Sequence, residues 1–191
     1  MTKKEGLNLA NKITIARIIT VPFFIAAVVY SRFEIALVIF IVAVISDAAD
    51  GFIARTLKQK TELGTILDPV ADKLLLTSAY ICLALAGSIP GHLRLPAYVP
   101  IVVISRDAII VLGSIIVHVV TGDLKVSPSN IGKATTFLQM LTIVSVLIQF
   151  EYSFILWNVT VLFTVLSGID YIVKGSRFLG EHNHFPKKAV S

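Results

Sequence analysis

The chain has 191 residues, of which 55% are hydrophobic and only 15% charged, and its formal net charge is +5. Soluble domains carry about 25% charged residues, so this composition excludes a disordered chain, a collagen-like chain and an ordinary soluble domain. The single cysteine, Cys82, excludes an intramolecular disulfide framework and a cysteine-based zinc site. We predict a one-domain polytopic membrane protein whose basic excess faces anionic lipid, and we expect no nucleic-acid partner.

The sequence contains six apolar stretches, each close in length to the roughly 20 residues that a bilayer-spanning helix needs. They run over Ile13–Tyr30, Ile35–Ala54, Val70–Gly87, Tyr98–Val120, Ala134–Phe150 and Phe154–Val173. The predicted fold class is therefore an all-α membrane protein with six transmembrane helices. We divide it into an N-terminal interfacial arm over 1–12, a six-helix domain over 13–175 and a polar cytoplasmic tail over 176–191.

The positions of the basic residues predict how the spans are oriented. With a cytoplasmic N-terminus, all but three of the 17 Lys and Arg residues fall on the cytoplasmic side. Arg32 and Arg94 fall on the far side, and Arg106 lies inside the fourth span. This asymmetry predicts that both termini are cytoplasmic and that the protein is a multi-pass component of the cell membrane.

Four carboxylates lie at the cytoplasmic ends of the second and third spans. A charged side chain in a membrane span costs free energy, so its presence there indicates a function or a partner. In a helix, Asp47 and Asp50 are about 60° apart, and Asp68 and Asp72 about 40° apart, so each pair shares a face. Pro69 suits a first helical turn, which predicts that Asp68 lies near an N-cap. Four oxygen ligands without Cys or His favour two hard divalent cations, Mg²⁺ or Mn²⁺, at a site facing the cytoplasm.

Two alternative roles would also account for carboxylates at these positions. They could be helix caps and surface ion pairs, with Asp72 pairing with Lys73 or Arg55. They could also mark the ion path of a cation transporter, since intramembrane acids line such paths. An ion path should place acids near the bilayer midplane, whereas these four cluster at one side.

The acidic residues belong to a longer pattern that includes small residues and an arginine. It reads Asp47-x2-Asp50-Gly51-x2-Ala54-Arg55-x8-Gly64-x3-Asp68-x3-Asp72. This pattern resembles, without a missing position, the signature of the CDP-alcohol phosphatidyltransferases. The resemblance extends over residues 8–175, and within the family the whole chain is similar to the bacterial phosphatidylglycerophosphate synthases.

The resemblance implies a lipid-synthesis enzyme that transfers a phosphatidyl group from CDP-diacylglycerol to the hydroxyl of an acceptor alcohol, releasing CMP. Asp47, Asp50, Asp68 and Asp72 would hold two metal ions, and Asp72 would also be the general base. The family resemblance further implies a homodimer embedded in membrane lipid. Residues implied to bind the CDP-lipid are Asn11, Thr14, Gly51, Ala54, Arg55, Thr61 and Gly64.

The acceptor implied first is sn-glycerol 3-phosphate, giving phosphatidylglycerophosphate. Its phosphate needs cations near the metal site, and Arg106 and Lys133 are the candidates. The chain departs from the usual sequence of the phosphatidylglycerophosphate synthases at two positions. It has Asp107 where they usually have glutamate, and Thr135 where they usually have a second lysine. At both positions it resembles instead the cardiolipin synthases of the same superfamily. The alternative acceptor is therefore phosphatidylglycerol.

Overall fold

A computed structural model describes the backbone over residues 9–57, 62–121 and 130–182, and side chains over 18–46, 73–113 and 130–176. Within these ranges the chain is helical apart from short turns and one loop, and no strand occurs. The six helices are α1 (Leu9–Val29), α2 (Phe33–Leu57), α3 (Glu62–Leu85), α4 (Tyr98–Thr121), α5 (Asn130–Leu147) and α6 (Ser153–His182). The prediction of an all-helical chain with six helices is confirmed.

Several of the helix ends differ from those expected from hydropathy. Helix α1 begins at Leu9, inside the segment expected to be an arm, and α6 continues to His182, beyond the expected boundary at 175. The expectation that Asp68 lies near an N-cap is wrong, because α3 already begins at Glu62. Hydropathy detects only the apolar part of a helix, so polar helical residues at its ends are missed. A proline does not always mark the start of a helix, because neighbouring helices can stabilise a helix that contains one.

Hydrogen bonds between helices reveal the direction in which each one runs. Tyr98 at the start of α4 donates to Asn158 near the start of α6, 3.0 Å away, and Arg106 further along α4 donates to Ser167 further along α6. Helices α4 and α6 are therefore parallel, with their first residues at the same end of the bundle.

Helices α5 and α6 form an antiparallel pair joined by a tight turn. The hydroxyls of Thr142 and Thr160 lie 2.7 Å apart, and the Ser153 hydroxyl donates to the Ser145 carbonyl oxygen at 3.1 Å. Gln149 takes φ 54° at the turn, where Phe150 N–H donates to the carbonyl oxygen of Ser145. This left-handed residue ends the helix in a Schellman motif.

The turn between α1 and α2 has the same construction and lies beside the loop 86–97. Ser31 takes φ 58°, Arg32 N–H donates to the Ala27 carbonyl oxygen, and the Ser31 hydroxyl bonds to that of Ser88. We call the end of the bundle formed by 30–32, 86–97 and 148–152 the loop end. The described helices alternate in direction, so the first residues of α1 and the last residues of α6 lie at the opposite end.

The helices pack around a shared apolar core. Helix α1 packs against both α2 and α3, α6 against α4 and α5, and α3 contacts both α4 and α5. Phe24 of α1 and Phe40 of α2 are fully buried, with ring centroids 6.1 Å apart. Helix α3 presents Leu76 and Leu83 to the interior, and Leu93 of loop 86–97 closes the loop end.

The outer surface is more apolar than that of a soluble protein, and the apolar core also contains polar side chains. Large apolar side chains such as Phe23, Val42 and Leu162 are exposed, whereas hydroxyl groups such as those of Thr142 and Ser153 are buried and hydrogen-bonded. Within the described part of the chain, Ser153–Ser176 is the one helical segment that is long and apolar enough to cross a membrane. Shorter apolar helical segments occur over Ile18–Val29, Phe33–Ser46 and Lys73–Leu85.

Candidate active site

The signature residues lie on two helices whose backbones are described. Asp47, Asp50, Gly51, Ala54 and Arg55 are positions of α2. Gly64, Asp68 and Asp72 are positions of α3, and Asn11 and Thr14 are positions of α1. The side chains of these ten residues, and the whole of Thr61, lie outside the described residues. Their assignment to metal or CDP-lipid remains a prediction, which the helical register supports.

The positions of the four aspartates on the helical backbone can be compared with the ligands that two hard divalent cations require. Asp47 and Asp50 are separated by three residues in α2, and Asp68 and Asp72 by four in α3, so each pair shares a helix face. Because α3 begins before Asp68, both of its acids are helical residues one turn apart. Carboxylate oxygens are the ligands that Mg²⁺ and Mn²⁺ prefer, so the residue types fit two such ions.

Arg106 of α4 is the charged residue around which the described part of the site is built. It is only 7% exposed, and its guanidinium donates from Nη1 to Asp107 Oδ1 at 2.8 Å and from Nη2 to Ser167 Oγ at 2.7 Å. Its Nε is buried and makes no hydrogen bond within the described part of the chain. The Nε–H is therefore a buried donor for which the described residues supply no acceptor.

Asp107 joins Arg106 to a lysine on a neighbouring helix. Its Oδ2 accepts from Nζ of Lys73 in α3 at 2.7 Å, while Oδ1 accepts from Arg106. Asp107 is itself 7% exposed, and the Lys73 side chain is 31% exposed. Two cations share one anion, so this three-residue cluster has a net charge of +1 and suits a further negative group.

Lys133 and Thr135 lie near the start of α5, and their surroundings differ sharply. Lys133 is exposed, whereas Thr135 is fully buried. The Thr135 hydroxyl lies 2.8 Å from the Ile131 carbonyl oxygen and 3.2 Å from that of Phe163 in α6. Because α5 and α6 are antiparallel, Lys133 is within about one helical turn of the level of Ser167, and hence of Arg106.

The sequence pointed to Arg106 as a ligand of the acceptor phosphate, but it did not predict that Asp107, Lys73 and Ser167 form one cluster with it. The residue pattern offered Asp72 as a partner for Lys73, whereas the structure pairs Lys73 with Asp107. The available signal was the unusual acid beside an intramembrane arginine. The second partner of this acid, Lys73, depends on how α3 and α4 are aligned, and the residue pattern does not encode that alignment.

Comparison with known proteins identifies the family of the chain. Residues 7–166 match the CDP-alcohol phosphatidyltransferase family, so the chain belongs to that family. It is therefore an enzyme of a membrane-integral transferase family, and the alternative of a cation transporter no longer stands.

Among curated proteins, the chain is 33% identical over 199 residues to the CDP-diacylglycerol–glycerol-3-phosphate 3-phosphatidyltransferase of Bacillus subtilis, covering 92% of this chain and 99% of that one. It is 32% identical over 179 residues to the Haemophilus influenzae protein of the same name, covering 88% and 95%. It is also 28% identical over 193 residues to the human cardiolipin synthase (CMP-forming), covering 89% of this chain and 62% of that one.

Proposed function

We propose that the protein transfers the phosphatidyl group of CDP-diacylglycerol to sn-glycerol 3-phosphate, producing phosphatidylglycerophosphate and CMP. The observation that carries the proposal is the unbroken eight-position signature on α2 and α3 in a chain that belongs to the CDP-alcohol phosphatidyltransferases. The names of the bacterial relatives, which align over nearly the whole chain, support the choice of acceptor.

In this reaction the acceptor hydroxyl oxygen attacks the phosphorus that carries diacylglycerol, and the bond from that phosphorus to the CMP oxygen breaks. Asp72 takes the hydroxyl proton. Asp47, Asp50, Asp68 and Asp72 would hold two divalent cations, which when bound neutralise phosphate charge and stabilise the leaving oxygen. Since a carboxylate is a weak base, positioning and charge neutralisation account for most of the rate.

The CDP-lipid is assigned to the α2 face that carries Gly51, Ala54 and Arg55. Small side chains leave room for a nucleotide near the helix, and an arginine suits the diphosphate because its guanidinium binds two oxygens at once. Asn11, Thr14, Thr61 and Gly64 complete the proposed CDP-lipid pocket.

Arg106 and Lys133 are assigned to the acceptor phosphate. The unpaired Nε of Arg106 and the net positive charge of its cluster support this role, and Lys133 is at a similar level on α5. Arg106 is desolvated and already fixed in place, so it binds a phosphate without first losing side-chain freedom.

Phosphatidylglycerol is the second candidate acceptor. Thr135 uses its hydroxyl on backbone carbonyl oxygens and supplies no cation, which suits a phosphodiester of lower charge. The human cardiolipin synthase among the relatives supports the same alternative.

We further propose that the six helices span the cell membrane with both termini and the active site at the cytoplasmic face, and that the enzyme is a homodimer. On the described helices, Arg17, Arg55 and Lys133 belong to the half of the bundle opposite the loop end, as do Lys174 and Arg177, which supports this orientation. The arm over 1–12, the six-helix domain over 13–175 and the tail over 176–191 remain the proposed division of the chain.

The test is CMP release from CDP-diacylglycerol by the purified protein, with glycerol 3-phosphate and phosphatidylglycerol supplied in separate assays. We expect release with glycerol 3-phosphate, its loss on chelation of divalent cations, and its recovery with Mg²⁺ or Mn²⁺. Release with phosphatidylglycerol alone would replace the first acceptor by the second. Turnover that persists with excess chelator would contradict the metal assignment.

A further inference from the structure

The cluster of Lys73, Arg106 and Asp107 has a feature that phosphate binding alone does not require. Both oxygens of one carboxylate are used, and each is bound by a cation from a different helix. A buried carboxylate that bridges two helices in this way fixes how one helix is placed relative to the other, because each charged hydrogen bond tolerates little change in length.

Lys73 directly follows Asp72 in α3, so the contact at Lys73 restrains the helical turn on which the proposed base lies. Arg106 is restrained from the opposite side by Ser167 of α6. A side chain added at Gly168 would reach Cγ of Arg106 at 3.7 Å, so the stem of this arginine already packs against α6. The arginine is thus held at three places, while its buried Nε has no partner within the described part of the chain.

We propose that Asp107 is the positioning residue for the acceptor: it aligns the Arg106 guanidinium with the turn of α3 that carries Asp72. This inference rests on the proposed function, in which Arg106 binds the acceptor phosphate and Asp72 receives the proton. Asp107 itself contacts neither substrate. Without its negative charge, Lys73 and Arg106 are two cations on adjacent helices with no anion between them, and they separate.

The decisive measurement compares the acceptor KM with the CDP-diacylglycerol KM in Asp107→Asn. A charged hydrogen bond lost from a restrained cluster is expected to raise the acceptor KM by about tenfold or more. The KM for CDP-diacylglycerol stays close to that of the wild type, because the CDP-lipid is assigned to α2. A protein that merely folds less well would lose kcat while both KM values stayed the same.

Conservative and paired variants sharpen the test. Asp107→Glu keeps the charge and should recover much of the lost acceptor affinity. Lys73→Met should raise the acceptor KM by itself but add little in the Asp107→Asn background, because both changes break the same contact. These variants also carry the test if Asp107→Asn does not yield monodisperse protein.

Asp170 provides the matched control, since it forms an ion pair of similar length, 2.8 Å, with Lys174 on the exposed side of α6. Asp170→Asn should leave both KM values unchanged. An unchanged acceptor KM in Asp107→Asn and in Lys73→Met would overturn the positioning role while leaving the proposed function standing. If the wild type uses phosphatidylglycerol, the same comparison is made with that acceptor. A wild type that releases CMP with neither acceptor would overturn both.

Discussion

Gly113 of α4 faces the ring of Tyr171 of α6 so closely that a Cβ added to the glycine would lie 2.7 Å from Cε1 of the tyrosine. The Tyr171 hydroxyl donates to the Ile110 carbonyl oxygen at 3.0 Å, which holds the ring in place over α4. The missing side chain at 113 therefore sets how closely these two parallel helices approach.

Gly113→Ala is expected to destabilise the protein by about 1–3 kcal/mol, the usual cost of overpacking, because either the Tyr171 ring or the helix backbone must move. The measurement is the thermal midpoint in detergent. Gly175→Ala is the matched control, since nothing lies within 4 Å of a Cβ at that position of α6. Equal midpoints for the two alanine variants would show that the ring yields without cost.

Asp68→Asn and Asp72→Asn are each expected to reduce CMP release by at least about a thousandfold, since a neutral amide removes one negative charge from the proposed metal site. Asp72→Asn additionally removes the group that takes the proton. Turnover is measured on protein that elutes as a single species in detergent, with Asp170→Asn as the control for a carboxylate outside the site. Near-normal turnover in either variant would refute the assignment of that residue.

Arg106→Lys tests whether the acceptor phosphate needs the shape of the guanidinium as well as its charge. Lysine keeps the charge but cannot donate from two terminal nitrogens and from Nε in one plane. We expect a higher acceptor KM in Arg106→Lys and a smaller rise in Ser167→Ala, which removes one restraint on Nη2. If Arg106→Ala keeps the wild-type acceptor KM, the arginine is structural only.

The sequence predicted the parts of the molecule that depend on local pattern. Apolar length predicted six helices, and the position of Arg106 within an apolar stretch singled it out as a functional candidate. It misplaced the start of α3 and the end of α6 because polar residues continue a helix beyond the apolar stretch that hydropathy marks.

The relations that the pattern missed depend on how separate helices are aligned. Lys73 meets Asp107 only because α3 and α4 are antiparallel in one particular register. The apposition of the four carboxylates across α2 and α3 is a relation of the same kind, and it stays a prediction from helical spacing.

Gln139 of α5 gives the last prediction. It is fully buried, and neither its Nε2 nor its Oε1 makes a hydrogen bond within the described part of the chain. Burying an unpaired amide costs about 1–3 kcal/mol, judged from protein mutational data. Gln139→Met, which keeps the length of the side chain, is therefore expected to raise the thermal midpoint.

Tyr80 donates to the backbone carbonyl oxygen of Gln139 rather than to its side chain, so this 3.1 Å bond survives the substitution. Thr142→Val, three residues further along α5, is the control with the opposite sign, because it removes a hydroxyl that bonds to Thr160. A Gln139→Met protein that melts at a lower temperature than the wild type would mean that the amide has a partner, such as an internal water molecule. The measured sign of the change therefore decides whether this polar group is a cost to the fold or part of a hydrated interior.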